Sequence, residues 1–159
     1  MLPPVRPPDF VALFPLGFHE LTIVTLEQVC VDLFPLSTSR KAIMDGLRQF
    51  VGNLTAAGAV GNLWIDGSFL TDKIDPEDVD VVLLCDGPLY DHGPSAYQTA
   101  VDWVIDNQKA TLKCDSYALF QYPPGHALHT DGVWWHAYWL RQWGFSRESD
   151  PKGIVVITL

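Results

Sequence analysis

The chain has 159 residues, of which 48% are hydrophobic and 18% are charged, and its formal net charge is −9 at pH 7. This length fits a single domain that buries enough surface to fold without metal or disulfide staples. The acidic balance, with no basic stripe along any segment, argues against extended DNA or long RNA as a partner. No apolar run approaches the ~20 residues that a membrane-spanning helix needs, so a membrane protein is not expected.

The N-terminal segment, residues 1–24, is rich in proline and aromatic residues. This composition predicts an extended arm, and residues 25–159 are expected to form the domain that the arm crosses. The arm lacks the continuous apolar region of a signal peptide. The three cysteines show no C-x-x-C spacing, and two of them fall in predicted strands, where a free thiol is usually buried. We therefore expect a cytoplasmic protein.

Two helices are predicted before the first clear strand. Thr25 caps a short helix that ends at Pro35, and residues 37–39 offer caps to a longer helix that runs to about Ala57. The apolar residues of the longer helix form a single stripe, Ile43, Leu47, Phe50, Val51 and Leu54. On its polar side, Arg40 is expected to be solvated, and the alternative is a contact with a triphosphate.

The remaining elements alternate between strands and helices. The predicted strands are residues 62–65, 79–84 and 110–120, followed by a last edge strand over residues 152–159. A helix over about residues 94–106 crosses back over the sheet, and a second helix follows Asp131, its expected cap. The second helix carries an aromatic stripe that includes Trp135, Tyr138 and Trp139. Such a stripe most often packs on a core, and the alternative is a base-stacking surface.

The stretch W-I-D-G-S-F-L-T-D-K-I-D-P-E-D-V-D, residues 64–80, concentrates the residues that suit phosphate chemistry. Asp78 and Asp80 lie about 6 to 7 Å apart along a strand and point to the same face, a spacing that suits ligation of Mg²⁺ by carboxylate oxygens. Gly67 allows the backbone to approach a phosphate, and Ser68 offers a hydroxyl and a backbone N–H. Lys73, the only base between Asp66 and Asp86, is placed to contact a phosphate.

This Gly-Ser pair, followed after nine residues by Asp-Val-Asp, resembles the signature of the polymerase-beta-like nucleotidyltransferase superfamily and its minimal members. Asp115, in T-L-K-C-D-S-Y, stands where that superfamily has a third carboxylate. The resemblance covers roughly residues 61–120. It implies a minimal nucleotidyltransferase fold of the α/β class, with a small mixed sheet of about four strands flanked by helices.

The resemblance also implies roles for the site residues. Asp78, Asp80 and Asp115 would hold Mg²⁺ or Mn²⁺ and act in catalysis, while Gly67, Ser68 and Lys73 would hold the phosphates of a nucleoside triphosphate. The dense acidic cluster around Asp78 repels itself unless cations are bound, which favours a metal site, and the alternative for its outer members is a solvated acidic loop.

Four functions compete on the sequence. The first is transfer of a nucleoside monophosphate to a protein, a tRNA end or a small molecule, and the resemblance suggests a toxin–antitoxin or defence setting. The second is the same fold used as a protein-binding, antitoxin-like module. A metal-dependent hydrolase and a sugar transferase with a D-x-D motif are disfavoured by the Gly-Ser turn and by the later Asp115. The complete set of three carboxylates favours the enzyme over the binding module.

Overall fold

Five strands form one mixed sheet in the computed structural model, which describes residues 10–159. The strands are β1 (Gly17–Glu20), β2 (Asn62–Asp66), β3 (Val79–Asp86), β4 (Cys114–Gln121) and β5 (Gly153–Thr158). Their order across the sheet is β1-β5-β2-β3-β4. The β1–β5 and β3–β4 pairs are parallel, whereas β2 is antiparallel to both of its neighbours. The expectation of an α/β domain with a mixed sheet is confirmed.

Six α-helices accompany the sheet within the described residues. They are α1 (Ile23–Glu27), α2 (Arg40–Ala56), α3 (Gly87–His92), α4 (Ser95–Ile105), α5 (Lys109–Leu112) and α6 (His129–Trp143). A π-helical turn, Gln28–Asp32, continues α1, and a 3-10 turn, Ser68–Leu70, follows β2. The predicted stripe on α2 is largely confirmed, because four of its five members are fully buried and Val51 packs partly buried against the same core. None of the helices in residues 10–159 is both long and apolar enough to cross a bilayer.

The two faces of the sheet carry different cores. On one face, α1, α2 and α4 pack against strand residues such as Ile65, Val81 and Val155. On the other face, α6 packs against a smaller cluster that includes Trp64, Val82 and Leu119. Side chains alternate along each strand, so Asp66 and Asp80 lie on the same face as Trp64 and Val82. The smaller core therefore leaves room at one end of its face for polar side chains.

The last strand was wrongly predicted to lie at an edge. β5 lies between β1 and β2, and its residues Ile154, Val155, Val156 and Ile157 are all buried. A strand that is apolar on both faces must be covered on both faces, which favours a central position. The strand itself was predicted, and only its place in the sheet was wrong.

β1 comes from the predicted arm. Gly17–Glu20 pair with β5, so the sheet has five strands where about four were expected. Residues 1–9 of the arm lie outside the described residues, and a domain division at residue 24 stays a prediction. The strand predicted for residues 110–120 begins only at Cys114, because α5 occupies residues 109–112 and Lys113 takes a left-handed conformation that ends it. α6 begins two residues before its expected cap, Asp131.

Candidate active site

Three aspartates lie side by side across neighbouring strands. Asp66, the last residue of β2, is in register with Asp80 on β3, and Asp80 is in register with Asp115 on β4. Residues in register on paired strands project to the same face, so the three carboxylates share one face of the sheet. Asp78 directly precedes β3 and lies on the same side as Asp80, because side chains alternate along the chain. We call these four residues the acidic row.

Gly67 connects β2 to the 3-10 turn and borders the acidic row. Its φ is +89°, in the region that favours glycine, and a Cβ atom at this position would lie 2.3 Å from Oδ2 of Asp80. The turn therefore requires glycine for two independent reasons. Because Ser68 follows directly and begins the 3-10 turn, the predicted Gly-Ser pair does lie against the predicted carboxylates.

The segment that follows the Gly-Ser turn is fixed by Arg40. This guanidinium is fully buried and donates hydrogen bonds to the carbonyls of Phe69, Thr71 and Lys73 and to that of Cys30. Its plane also lies over the Phe34 ring, with Cζ 3.7 Å from the ring centroid. Both expectations for Arg40 were wrong, because it is neither solvated nor free to contact a triphosphate. We call Arg40 and its four carbonyl partners the Arg40 clamp.

Asp75 ties the end of the same segment to the start of α2. Its Oδ1 accepts hydrogen bonds from the backbone N–H groups of Thr38 and Ser39 and from the Ser37 hydroxyl. The hydrogen bond from the Thr38 backbone is the largest cause that lowers the pKa of Asp75 below its ordinary value. Asp75 therefore holds the residues just before α2, while the Ser37 hydroxyl accepts from the backbone N–H of Arg40, the first residue of the helix. Asp75 is exposed to solvent, as a solvated acidic loop predicts, and its carboxylate also makes these hydrogen bonds.

Two members of the acidic row, Asp66, which is buried, and Asp80, which is partly buried, have little positive charge near them. Nζ of Lys152 lies 2.7 Å from Oδ2 of Asp66, whereas Oδ1 of Asp66 is buried without a hydrogen-bond partner in the described residues. Burial raises the pKa of Asp66 to about 6, against the lowering effect of Lys152. Burial, and then the charges of Asp78, Asp66 and Asp115, raise the pKa of Asp80 to about 7. The row is therefore short of positive charge.

A second ammonium group reaches the other end of the row. Nζ of Lys109, on α5, lies 2.6 Å from Oδ2 of Asp78 and 3.8 Å from Oδ2 of Asp115. The side-chain amide of Asn107 donates a hydrogen bond of 2.6 Å to Oδ1 of Asp115. The hydrogen bond to Asp78 is the largest cause that raises the pKa of Lys109. Two ammonium groups thus face four carboxylates, so the fully ionised row keeps two uncompensated negative charges.

Lys73 lies away from this row of charges. Its ammonium lies 5.7 Å from the centroid of the Phe10 ring, and its backbone carbonyl belongs to the Arg40 clamp. No ion pair joins Lys73 to any carboxylate of residues 10–159. A phosphate contact by Lys73 stays a prediction.

The donor set of the acidic row fits magnesium or manganese, because it consists of oxygens with an excess of negative charge and one buried oxygen without a partner. In their present positions, no three His, Cys, Asp or Glu side chains of the described chain converge closely enough to hold a metal ion. Lys109 contacts Asp78 and Asp115 in the region where such a cation would be expected. Binding of a metal by Asp78, Asp80 and Asp115 therefore requires Lys109 to withdraw.

The sequence analysis missed four residues of this site: Asp66, Asn107, Lys109 and Lys152. Asp66 carried a local signal, since it is the residue before the Gly-Ser pair at the end of an apolar strand. The other three reach the row from α5, from the turn before it and from the residue before β5. These three residues are far from the motif in sequence, so no local pattern connects them to it. Only the order of the strands could have shown that they reach the row.

A family model described as "Family of unknown function (DUF6932)" matches residues 8–158. No curated protein and no solved structure matches the chain significantly.

Proposed function

The chain belongs to the family of unknown function DUF6932, and we propose that this member is a metal-dependent nucleotidyltransferase. It would move a nucleoside monophosphate from a nucleoside triphosphate to a hydroxyl on a protein or a small RNA, such as a tRNA end. The single observation that supports this proposal best is the register of Asp66, Asp80 and Asp115 beside the Gly67–Ser68 turn. A minimal nucleotidyltransferase fold, suggested by the sequence resemblance, and a cytoplasmic location belong to the same proposal.

The reaction forms one bond and breaks one bond. The acceptor oxygen attacks the α-phosphorus, the bond between that phosphorus and the α–β bridging oxygen breaks, and pyrophosphate leaves with the electron pair. Magnesium or manganese, held by Asp78, Asp80 and Asp115, would lower the pKa of the attacking hydroxyl and neutralise charge on the triphosphate. The hydroxyl proton would pass to Asp115 or to water.

The residues of the chain supply positioning and charge. The backbone N–H groups and the hydroxyl at Gly67 and Ser68 would hold the β- and γ-phosphates, since successive N–H groups in such a turn form an anion-binding concavity. The Arg40 clamp fixes the segment that begins at Phe69, so the turn keeps its position when a phosphate binds. Lys73 would approach the phosphates from the same segment.

A second candidate function is supported by a specific observation. Lys109 neutralises part of the acidic row without a bound metal. This favours a catalytically weak or inactive fold that serves as a protein-binding module. The two functions differ in what the carboxylates do. In an enzyme they are essential for activity, whereas a binding module keeps its partner and its effect in cells when they are removed.

The decisive experiment is a transfer assay. The protein is incubated with α-labelled nucleoside triphosphates, magnesium, and either the products of neighbouring genes or total tRNA. An enzyme labels one acceptor and releases pyrophosphate, and Asp115→Ala removes the label because the attacking hydroxyl is no longer activated. Asp45→Asn, an exposed carboxylate on α2, is the matched control and should label normally. Normal activity in cells of the variant that lacks Asp78, Asp80 and Asp115 would contradict the enzyme and favour the module.

Metal binding has a test that does not depend on turnover. Added Mg²⁺ or Mn²⁺ should raise the melting temperature, because a ligand that binds only the folded state stabilises it by mass action. The double variant Asp78→Asn with Asp80→Asn should lose this shift, and Asp45→Asn should keep it. A melting temperature that responds to neither metal in the wild type would count against the metal site.

A further inference from the structure

A cavity of about 540 Å³ lies beside the acidic row, along β4 and the beginning of α6. Its volume is within the usual range of small-molecule sites, about 300 to 1,000 Å³. β4 is an edge strand, and its residues 116–120 line the cavity. Gly132 of α6 allows the close approach of helix and strand, since a Cβ atom there would lie 2.9 Å from the carbonyl oxygen of Phe120. The cavity is therefore part of how α6 packs on β4.

Several aromatic rings, together with aliphatic side chains, form the walls of the cavity. Trp135 and Trp139 reach it from α6, and Tyr117 and Tyr122 reach it from β4 and the residue after it. The rings of Tyr117 and Trp139 lie 5.0 Å apart between centroids, and Trp135 keeps 49% of its surface exposed. An aromatic side chain that remains exposed beside a cavity offers a face on which a planar ligand stacks. These walls favour a planar heterocycle over a flexible chain.

The polar groups of the cavity select among heterocycles. Asp131, exposed in the first turn of α6, is the only charged side chain among the described residues that line it. A carboxylate only accepts hydrogen bonds, and it accepts two at once from adjacent donors. Guanine presents two adjacent donors, the N1–H and the 2-amino group. Adenine and cytosine present an amino group beside a ring acceptor, which a carboxylate repels.

Tyr117 connects this cavity to the acidic row. It lies two residues after Asp115 on the same face of β4, which places the two Cα atoms about 6 to 7 Å apart along the strand. Burial, and then an interaction with the Asp115 carboxylate, raise the pKa of Tyr117 to about 12, so the phenol stays neutral and keeps its donor. On β4, the lining of the cavity begins at Ser116, the residue after Asp115.

From these observations we infer that the cavity between β4 and α6 binds the guanine base of the nucleotide, stacked on Trp135 and recognised by Asp131. This inference rests on the proposed nucleotide substrate, and it adds a preference for GTP over ATP.

The test is calorimetric titration of the full chain with four ligands: GTP and ATP with magnesium, guanosine alone, and tripolyphosphate with magnesium. The wild type should bind GTP at least tenfold more tightly than ATP. Trp135→Ala should weaken GTP and guanosine about tenfold, the typical loss of a stacked aromatic ring, and leave tripolyphosphate unchanged. Asp131→Asn should bring the affinities for GTP and ATP close together.

Trp134→Ala is the matched control. Trp134 is the neighbour of Trp135 on α6 and is 59% exposed, but it does not line the cavity. The Trp134 ring contacts the Trp135 ring edge-on, with 4.8 Å between centroids, so its removal should weaken the binding of GTP and guanosine by much less than the loss of Trp135 does. A GTP affinity that falls equally in the Trp134 and Trp135 variants would overturn the base site.

The other outcomes separate the two proposals. Guanosine binding that depends on Trp135, without binding of tripolyphosphate, would support the base site and contradict the nucleotidyltransferase. Binding of tripolyphosphate without guanosine, or equal affinities for GTP and ATP in the wild type, would overturn the base site and leave the nucleotidyltransferase standing. Binding of none of the four ligands would overturn both.

Discussion

The Arg40 clamp and the acidic row each contain a buried charge and both adjoin the Gly-Ser turn, but they differ in how many hydrogen bonds that charge makes. Arg40 is fully buried and donates hydrogen bonds to four backbone carbonyls. In the acidic row, Asp66 is nearly as buried, yet its Oδ1 has no partner in the described residues. A buried charge with satisfied hydrogen bonds stabilises the fold, whereas one with unused acceptors is a candidate for binding a ligand.

The same contrast appears in what each cluster does to the turn between them. The clamp holds the segment after the turn by its backbone carbonyls, independently of the side chains of that segment. The row restricts the turn sterically, because Asp80 leaves no room for a side chain at Gly67. Changes in the clamp should therefore reduce stability first, and changes in the row should alter pH dependence and ligand binding first.

Loss of the clamp should have the largest effect. Arg40→Met leaves four backbone carbonyls without their donor, those of Cys30 and Phe69 buried and the other two partly buried. Each buried acceptor without a partner costs about 1 to 3 kcal/mol, so the two buried carbonyls alone should lower the free energy of unfolding by about 2 to 6 kcal/mol. Urea unfolding measures this loss. Arg48→Met on the same helix is the control, because Arg48 is 44% exposed in its ion pair with Glu27 and should cost less than about 1 kcal/mol. Equal losses of unfolding free energy in the two variants would show that Arg40 contributes no more to stability than the exposed Arg48 does.

Removal of a charge from the row should stabilise the protein when no metal is present. The pKa of Asp80 is raised from 3.8 to about 7, so the folded state binds the proton more tightly than the unfolded state does. Stability from this group is therefore present at low pH and is lost as the pH rises from about 4 to about 7.

In a buffer with chelator at pH 8, Asp80→Asn should gain about 2 to 4 kcal/mol in the free energy of unfolding, since each unit of pKa shift is about 1.4 kcal/mol. Its stability should also depend less on pH between 4 and 8 than that of the wild type. Urea unfolding at several pH values measures both effects, with the exposed Asp45→Asn as control. A variant less stable than the wild type at pH 8 would show that Asp80 is well compensated.

The turn itself allows a matched pair of glycine substitutions. Gly67 and Gly58 both have positive φ, +89° and +77°, but only Gly67 has atoms in the way of a Cβ, whereas Gly58 has nothing within 4 Å. Both alanine variants should lose about 1 kcal/mol from the strained backbone, and Gly67→Ala should lose about 1 to 2 kcal/mol more through its clash with Asp80.

Thermal unfolding gives the difference between the two glycine variants, and titration with tripolyphosphate and magnesium shows whether only Gly67→Ala weakens binding. Similar stability and binding in both variants would mean that Asp80 moves away at little cost, and that the turn is not held against the row.

The smallest effect on stability is expected at Lys73. Its ammonium lies 5.7 Å from the Phe10 ring centroid, a contact worth about 0.5 to 1 kcal/mol at an exposed site, so Lys73→Met should change the free energy of unfolding by less than about 1 kcal/mol. If Lys73 contacts a phosphate in the bound state, the affinity for tripolyphosphate with magnesium should fall about tenfold. An unchanged affinity would remove Lys73 from the phosphate site, which would then depend on Gly67 and Ser68.

Part of the candidate site was predictable because its residues are close together in the sequence. Gly67, Ser68, Asp78 and Asp80 lie within one turn and the strand after it, and alternation along that strand was enough to place both aspartates on one face. The stripe of α2 was predictable for the same reason, since a helical period needs no information from the rest of the chain. Asp115 required the resemblance in addition, because it is far from the motif in sequence.

The sequence by itself therefore determined that Asp78 and Asp80 share one face, next to a Gly-Ser turn, and which face of α2 is buried. The tertiary structure decided which elements are neighbours: that β5 is central, that Asp66 joins the row, and that Lys109 and Lys152 reach it. It also decided that Arg40, on the polar side of its helix, is buried by the segment that it holds. The physical reason is that periodicity is a property of one element, whereas strand order and the burial of a charge depend on contacts between residues far apart in the chain.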